Sequence, residues 1–175
     1  MGIAGTYTPE KLVMGVLSSL RGGDEALRAL LVERWGVIDF CSLSIPFTFT
    51  DYYEKEMGAS IVRTFISFER LVDPSCLAQV KLRTNAIEDR FREGAMRQVN
   101  LDPGLMALSR FSLATTKESA HRIPLSDGIY AEITLLYSKG SFQALDWTYP
   151  DFRSAPYLAA LNEIRSLYKT QLRSS

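Results

Sequence analysis

Two short segments, Ser126-Asp127-Gly128 and Ser138-Lys139-Gly140, constrain this chain more than any others. Each separates alternating apolar and polar runs, and each ends in the residue that most readily takes the left-handed backbone of a tight hairpin. Read as three-residue loops, they predict a three-stranded meander over 121–125, 129–137 and 141–148. A loop at 126–128 sets Leu125 against Ile129, Ile123 against Ala131 and His121 against Ile133, an apolar face, and Arg122 against Glu132 on the other. A two-residue Asp127-Gly128 loop would set Ile123 against Glu132 and mix the faces. A slip of one residue turns every side chain over, so the first register is preferred. The second loop extends the row, placing Asp146 opposite Glu132 and Leu145 opposite Ile133. The result is a line of Arg122, Glu132 and Asp146, flanked by Tyr130, Thr134 and Thr148. Two carboxylates beside one arginine shift each other's proton affinity or share a cation such as Mg²⁺, and no cofactor is named by the sequence. The plainer alternative is a solvated sheet face with an ordinary ion pair.

Composition narrows the function classes. A chain of 175 residues with 46% hydrophobic and 23% charged content suits one domain, 1–175, with a sizeable core. A net charge of zero argues against a broad nucleic-acid surface. Cys41 and Cys76, with His121 as the single histidine, make neither a disulfide framework nor a Cys/His zinc site, and a reducing cytoplasm is the expected home. The apolar run at 12–20 is too short for a membrane span.

Along the chain, 11–18 reads as a buried strand, although Thr8-Pro9-Glu10 also resembles a helix start. A helix follows at 24–35, with Leu27, Leu30, Leu31 and Trp35 on one face. A strand at 37–49 changes parity near Cys41-Ser42, which predicts a bulge, and Pro46 predicts an edge. Asp51-Tyr-Tyr-Glu54 is a capping-box pattern for a short helix ending at Gly58. Tyr52, Tyr53, Glu54 and Glu56 are read as a connector rather than as pocket residues. Residues 60–69 form a second apolar strand. Asp73-Pro74 starts a helix with Leu77, Val80, Thr84, Ile87 and Phe91 inward, closed by Gly94, and Lys81, Asn85 and Glu88 are read as its solvated flank. Strands at 97–101 and 105–116 are expected on either side of a type II turn at Asp102-Pro103-Gly104. The last helix, 155–172, buries Tyr157, Leu161, Ile164, Tyr168 and Leu172.

This order predicts an α+β fold. Its first six elements match the split β-α-β of ferredoxin-like folds, a mostly antiparallel sheet here extended by the meander and a C-terminal helix. The chain contains no P-loop, Rossmann fingerprint, His-Glu-x-x-His or Gly-x-Ser-x-Gly motif. The positive signal is Thr115-Thr-Lys-Glu-Ser-Ala-His-Arg122, where hydroxyls, an ammonium, an imidazole and a guanidinium share one loop, a composition suited to phosphate.

The segments TDYYEKEMG (50–58), NLDPG (100–104), TTKESAHRIPL (115–125), GIYAEITL (128–135) and WTYPDFRS (147–154) together resemble an uncharacterised prokaryotic family, the domain of unknown function numbered 4416. The resemblance implies a small bacterial or archaeal intracellular protein and transfers no chemistry. Two readings follow from the residues. One is a binder or enzyme for a small phosphorylated or anionic molecule. Thr115, Thr116, Lys117, Arg122, Asp102 and Tyr130 would hold the ligand, with His121, Glu132 and Asp146 as acid, base or cation ligands. The other is an interaction module anchored by Trp147, Tyr149 and Tyr157.

Overall fold

The computed structural model describes residues 2–20, 24–50, 53–58 and 60–174. In chain order the elements are β1 (Glu10–Ser18), α1 (Glu25–Trp35), β2 (Ile38–Cys41), β3 (Ile45–Pro46), α2 (Glu54–Met57) and β4 (Val62–Val72). Then come α3 (Leu77–Asp89), β5 (Arg92–Glu93), β6 (Met96–Arg97), β7 (Val99–Met106) and β8 (Arg110–Thr115). The chain closes with β9 (Ile123–Pro124), β10 (Tyr130–Ser138), β11 (Ser141–Ala144) and α4 (Ala155–Ser174). The strands of the main sheet pair antiparallel in the order β11-β10-β8-β7-β1-β4-β2, with β3 beside β4 and β9 beside β10. The protein is thus a mixed helical and antiparallel-sheet fold.

Parity along β1 divides the core. Leu12, Met14 and Val16 point to one face, where Leu27, Leu31 and Trp35 of α1 and Leu77, Val80 and Ile87 of α3 cover them. Val13 points to the other, against Tyr157, Leu161, Ile164 and Tyr168 of α4 with Phe65 and Phe111. The apolar run that left strand and helix open at 11–18 is buried on both faces, and continuous burial of this kind requires a central strand. The α4 stripe is as predicted, except that Leu172 is only partly buried. Fully burying a side chain the size of Leu161 or Ile164 stabilises by roughly 1.5–3 kcal/mol, and this is what holds α4 to the sheet.

Several expectations change. The strand at 37–49 is interrupted after Cys41, and Ser42 continues it by bonding its N–H to the Phe65 carbonyl and its hydroxyl to the Phe65 N–H, both at 2.9 Å. The predicted cap residues Asp51 and Tyr52 lie outside the described residues. The α3 helix ends at Asp89, and Gly94 (φ 62°) instead turns the β5–β6 hairpin.

The expected turn at Asp102-Pro103-Gly104 is absent. β7 runs straight through it, pairing Asp102 with Gly15, Pro103 with Met14 and Gly104 with Val13. Turn chemistry yields here to a full ladder with the central strand. Gly104 is needed for close approach instead, since a Cβ there would lie 2.6 Å from the Ser112 carbonyl oxygen and 2.7 Å from the Phe111 ring. Beyond it β8 leaves β7, for the two pair only over 104–106. Pro103 has no N–H to extend that pairing.

Candidate functional site

The parting of β7 and β8 leaves the far half of β7 paired with β1 on one side only, and α3 takes the place of β8 on the other. Lys81 donates to the Leu101 carbonyl at 2.8 Å, and Glu88 accepts the Leu101 N–H at 2.8 Å. Both side chains are buried, so the flank read as solvated instead reaches across the sheet edge. The gap opens into a cleft of about 690 Å³. Asn100 and Asp102 of β7, Leu113 to Thr115 of β8, Lys81, Asn85 and Glu88 of α3, Glu132 of β10, Tyr149, Asp151 and Phe152 line it, with Phe47, Phe49 and Tyr53 as an aromatic wall. Thr116 and Lys117 stand at the same cleft, and the Lys117 N–H donates to the Thr115 hydroxyl at 3.2 Å.

The floor centres on Arg63 of β4, which is 2% exposed. Its Nη1 reaches Asp102 at 2.8 Å, and its Nε donates to the Tyr157 hydroxyl at 3.3 Å. The guanidinium crosses β1 over Gly15, where a Cβ would lie 2.8 Å from Nη1. Burial works against the cation, but Asp102, Tyr157 and Asp151 outweigh it and leave its pKa raised. Burial likewise pushes Asp102 up, yet Arg63 and Lys81 overcome it and hold the carboxyl below its ordinary 3.8. Asp151 goes the other way. Burial exceeds the help from Arg63, so its pKa is raised, and burial raises Glu88 against Lys81 and Arg97. Burial and the neighbouring Asp102 push the Tyr53 phenol up. The cleft therefore holds two carboxyls whose pKa values move in opposite directions beside a shared guanidinium.

The predicted line of three charges is observed in part. Ile123 pairs with Ala131 and Pro124 with Tyr130, which is the expected first register, and Arg122 Nε donates to Glu132 at 2.8 Å. Arg122 also donates to the Tyr149 hydroxyl at 2.6 Å and the Lys117 carbonyl at 2.8 Å, tying the 115–122 loop to the cleft wall. The second register is shifted by one. Ser138 pairs with Ser141, and Lys139 (φ 51°) and Gly140 (φ 81°) alone make the turn. β11 therefore ends at Ala144, and Asp146 lies exposed in a turn, its carbonyl taking a hydrogen bond from Arg153 at 3.0 Å. Nor do the strands form a simple meander. β10 pairs with β8 along one edge, and β9 and β11 share the other.

His121 sits in a turn before β9 rather than opposite Ile133. Its Nε2 lies 3.3 Å from Glu132, its Nδ1 lies 3.1 Å from the Ser119 hydroxyl, and its ring stacks on Trp147 at 5.0 Å. Among the described residues, those lining the cleft include Thr115, Thr116, Lys117, Asp102 and Glu132, but not Tyr130, His121, Arg122 or Asp146. No group of three or more His, Cys, Asp or Glu residues among them is placed to hold a metal ion. Tyr157 is fully buried and is no partner anchor.

Arg63 and Asp151 were missed. A lone arginine inside Ile-Val-Arg-Thr-Phe-Ile-Ser-Phe was the available signal, because a charge within an apolar strand must find a partner. Asp151 carries no motif that singles it out. No described helix is long and apolar enough to cross a membrane. No curated protein and no solved structure matches the chain. The family described as "Domain of unknown function (DUF4416)" matches residues 8–168, nearly the whole length, and the chain belongs to that family.

Proposed function

We propose that the cleft binds a small anionic, phosphorylated molecule, with the hydroxyls of Thr115 and Thr116 and the ammonium of Lys117 at the anion and the Arg63 cluster beneath its body. The observation that carries this is the convergence of the 115–117 segment with a buried guanidinium on one cleft of about 690 Å³. The carboxylates in the cleft do not repel an anion as bare charges would. Glu132 has Arg122, Asp102 has Arg63, and Glu88 has Lys81 and Arg97. Glu132 keeps its place as the acid or base nearest the 115–122 loop, and Mg²⁺ would join a carboxylate to the ligand's phosphate. The central strand order β7-β1-β4-β2, with α1 and α3 on one face, supports a ferredoxin-like split β-α-β core beneath the cleft.

The test is a thermal-shift screen of phosphorylated metabolites, with and without Mg²⁺. A hit should lose its shift in Lys117→Ala and weaken in Thr115→Ala, since hydrogen bonds to charged groups contribute roughly 1.5–3 kcal/mol. The variants' own melting temperatures should stay within what surface changes allow, about 0.5 kcal/mol. Arg122→Ala should lower the melting temperature outright, because it leaves Glu132 buried without its cation. A screen in which no phosphorylated compound shifts the parent rejects the anion site.

A further inference from the structure

The deep end of the cleft holds a donor and an acceptor that do not meet. Arg63 commits Nε to Tyr157 and Nη1 to Asp102, but its Nη2 lies 3.8 Å from Asp151 Oδ2, beyond hydrogen-bond range. Asp151 uses its other oxygen, Oδ1, to accept the Phe152 N–H at 3.0 Å. Among the described residues no hydrogen bond reaches either Nη2 or Oδ2. Both residues are buried, 2% and 7% exposed, and both line the cleft. Among the described residues the sealed side-chain atoms without a partner are Glu10 Oε2, Trp35 Nε1 and Ser154 Oγ, so Nη2 and Oδ2 face the open cleft, where an unclosed pair offers a seat to a small polar group.

The chemistry of that group is narrow. A phosphate or carboxylate oxygen accepts from Nη2 but has no proton for Oδ2 and repels it. An ammonium meets the opposite problem at the guanidinium, and a methylene satisfies neither. A hydroxyl accepts from Nη2 and donates to Oδ2, and one oxygen can lie about 2.8 Å from both. Water has the same capacity. What favours a ligand is the surrounding wall. Asp102 remains a partly exposed acceptor beside the gap, and Phe49 and Tyr149 offer half-open ring faces to a carbon skeleton.

We infer that the cleft takes a phosphorylated polyol or sugar, one of whose hydroxyls bridges Arg63 Nη2 and Asp151 Oδ2. This rests on the reading of the cleft as an anion site and adds what the anion is attached to. Arg63 and Asp151 are then the residues that set specificity for the ligand's body, as Lys117 sets it for the charge.

The test is calorimetric titration of the full chain with four probes: glycerol 3-phosphate, glucose 6-phosphate, propyl phosphate and free glucose. Propyl phosphate keeps the anion and the carbon chain and lacks the hydroxyls. A site built around a hydroxyl rejects the analogue without it, so at least one hydroxylated phosphate should bind about tenfold or more tighter than propyl phosphate. In Asp151→Asn the Phe152 N–H holds the amide oxygen in the Oδ1 place, so the amide nitrogen faces Arg63. The gap then presents only donors, and the preference should fall to within about twofold with propyl phosphate binding kept. The comparison on the parent needs no variant, so it stands even if Asp151→Asn folds poorly. Propyl phosphate binding as tightly as both hydroxylated phosphates overturns the inference and leaves the anion site in place. Free glucose binding as well as its phosphate keeps the hydroxyl bridge and overturns the anion reading. Binding by none of the four overturns both.

Discussion

Two cations are buried on the α4 face of the sheet, one at each end, and they are finished differently. Lys11 of β1 is wholly buried, and its three protons go to the Asp39 carboxylate, the Phe68 carbonyl at 3.0 Å and Gln171 of α4 at 2.8 Å. Asp39 is completed in turn by the Ser67 hydroxyl at 2.6 Å. Arg63 is equally buried but stops short, with one nitrogen held 3.8 Å from Asp151 at a cleft. Burial of a charge therefore does not mark a binding site in this protein. Closure of the hydrogen-bond set separates Lys11 from the cation at the proposed site.

That contrast can be broken most severely at Lys11. Lys11→Ala should cost about 3–5 kcal/mol in urea unfolding, because it removes the buried cation that joins the Asp39 carboxylate, the Phe68 carbonyl and Gln171 of α4. Arg63→Ala should cost less, about 2 kcal/mol, because Arg63 makes two hydrogen bonds where Lys11 makes three, and the same variant should abolish ligand binding. Equal losses for the two would erase the distinction. Gly15→Ala sharpens it further. The new methyl group displaces the end of a flexible side chain rather than backbone, so about 1 kcal/mol of stability should be lost, with a larger proportional loss of affinity in titration.

The pH dependence follows from Asp102. Its folded pKa lies below the ordinary 3.8, so its contribution is full above that value and lost as pH falls through it towards the folded value. Asp102→Asn should flatten that acid limb in melting curves taken down past pH 3.8. Asp151 has the opposite sign. Its raised pKa favours the fold below 3.8, and that advantage is lost as pH rises through the folded value. The smallest effect belongs to Asp146→Ala, which should change stability by no more than about 0.5 kcal/mol and leave binding intact in the same titrations.

Asp146 also shows where local reading stops. The first hairpin register was legible because Arg122 and Glu132 make sense only as neighbours, and that pair exists. The second slipped because Lys139 takes a left-handed backbone that its residue type does not announce, so Lys139 and Gly140 close the turn without Ser138. Pro103 and Gly104 carried true turn chemistry, but a ladder with β1 and the Phe111 ring over Gly104 decided their place. The 115–117 segment was identified as a candidate because its groups are contiguous. Arg63, Asp102 and Asp151 could not be grouped, because what joins them is a crossing over Gly15 between strands distant in sequence.

Leu101 carries a last consequence. Its peptide group lies on an inner sheet edge, yet its N–H is held by one carboxylate of a helix, Glu88, rather than by a strand. Deuterium uptake at that amide therefore requires no parting of strands, only the swing of a single side chain. Binding that tightens α3 over the cleft slows that uptake, and binding that wedges the helix outward speeds it. The Leu101 amide is thus a built-in gauge of the cleft, readable by exchange without a label or an assay for turnover.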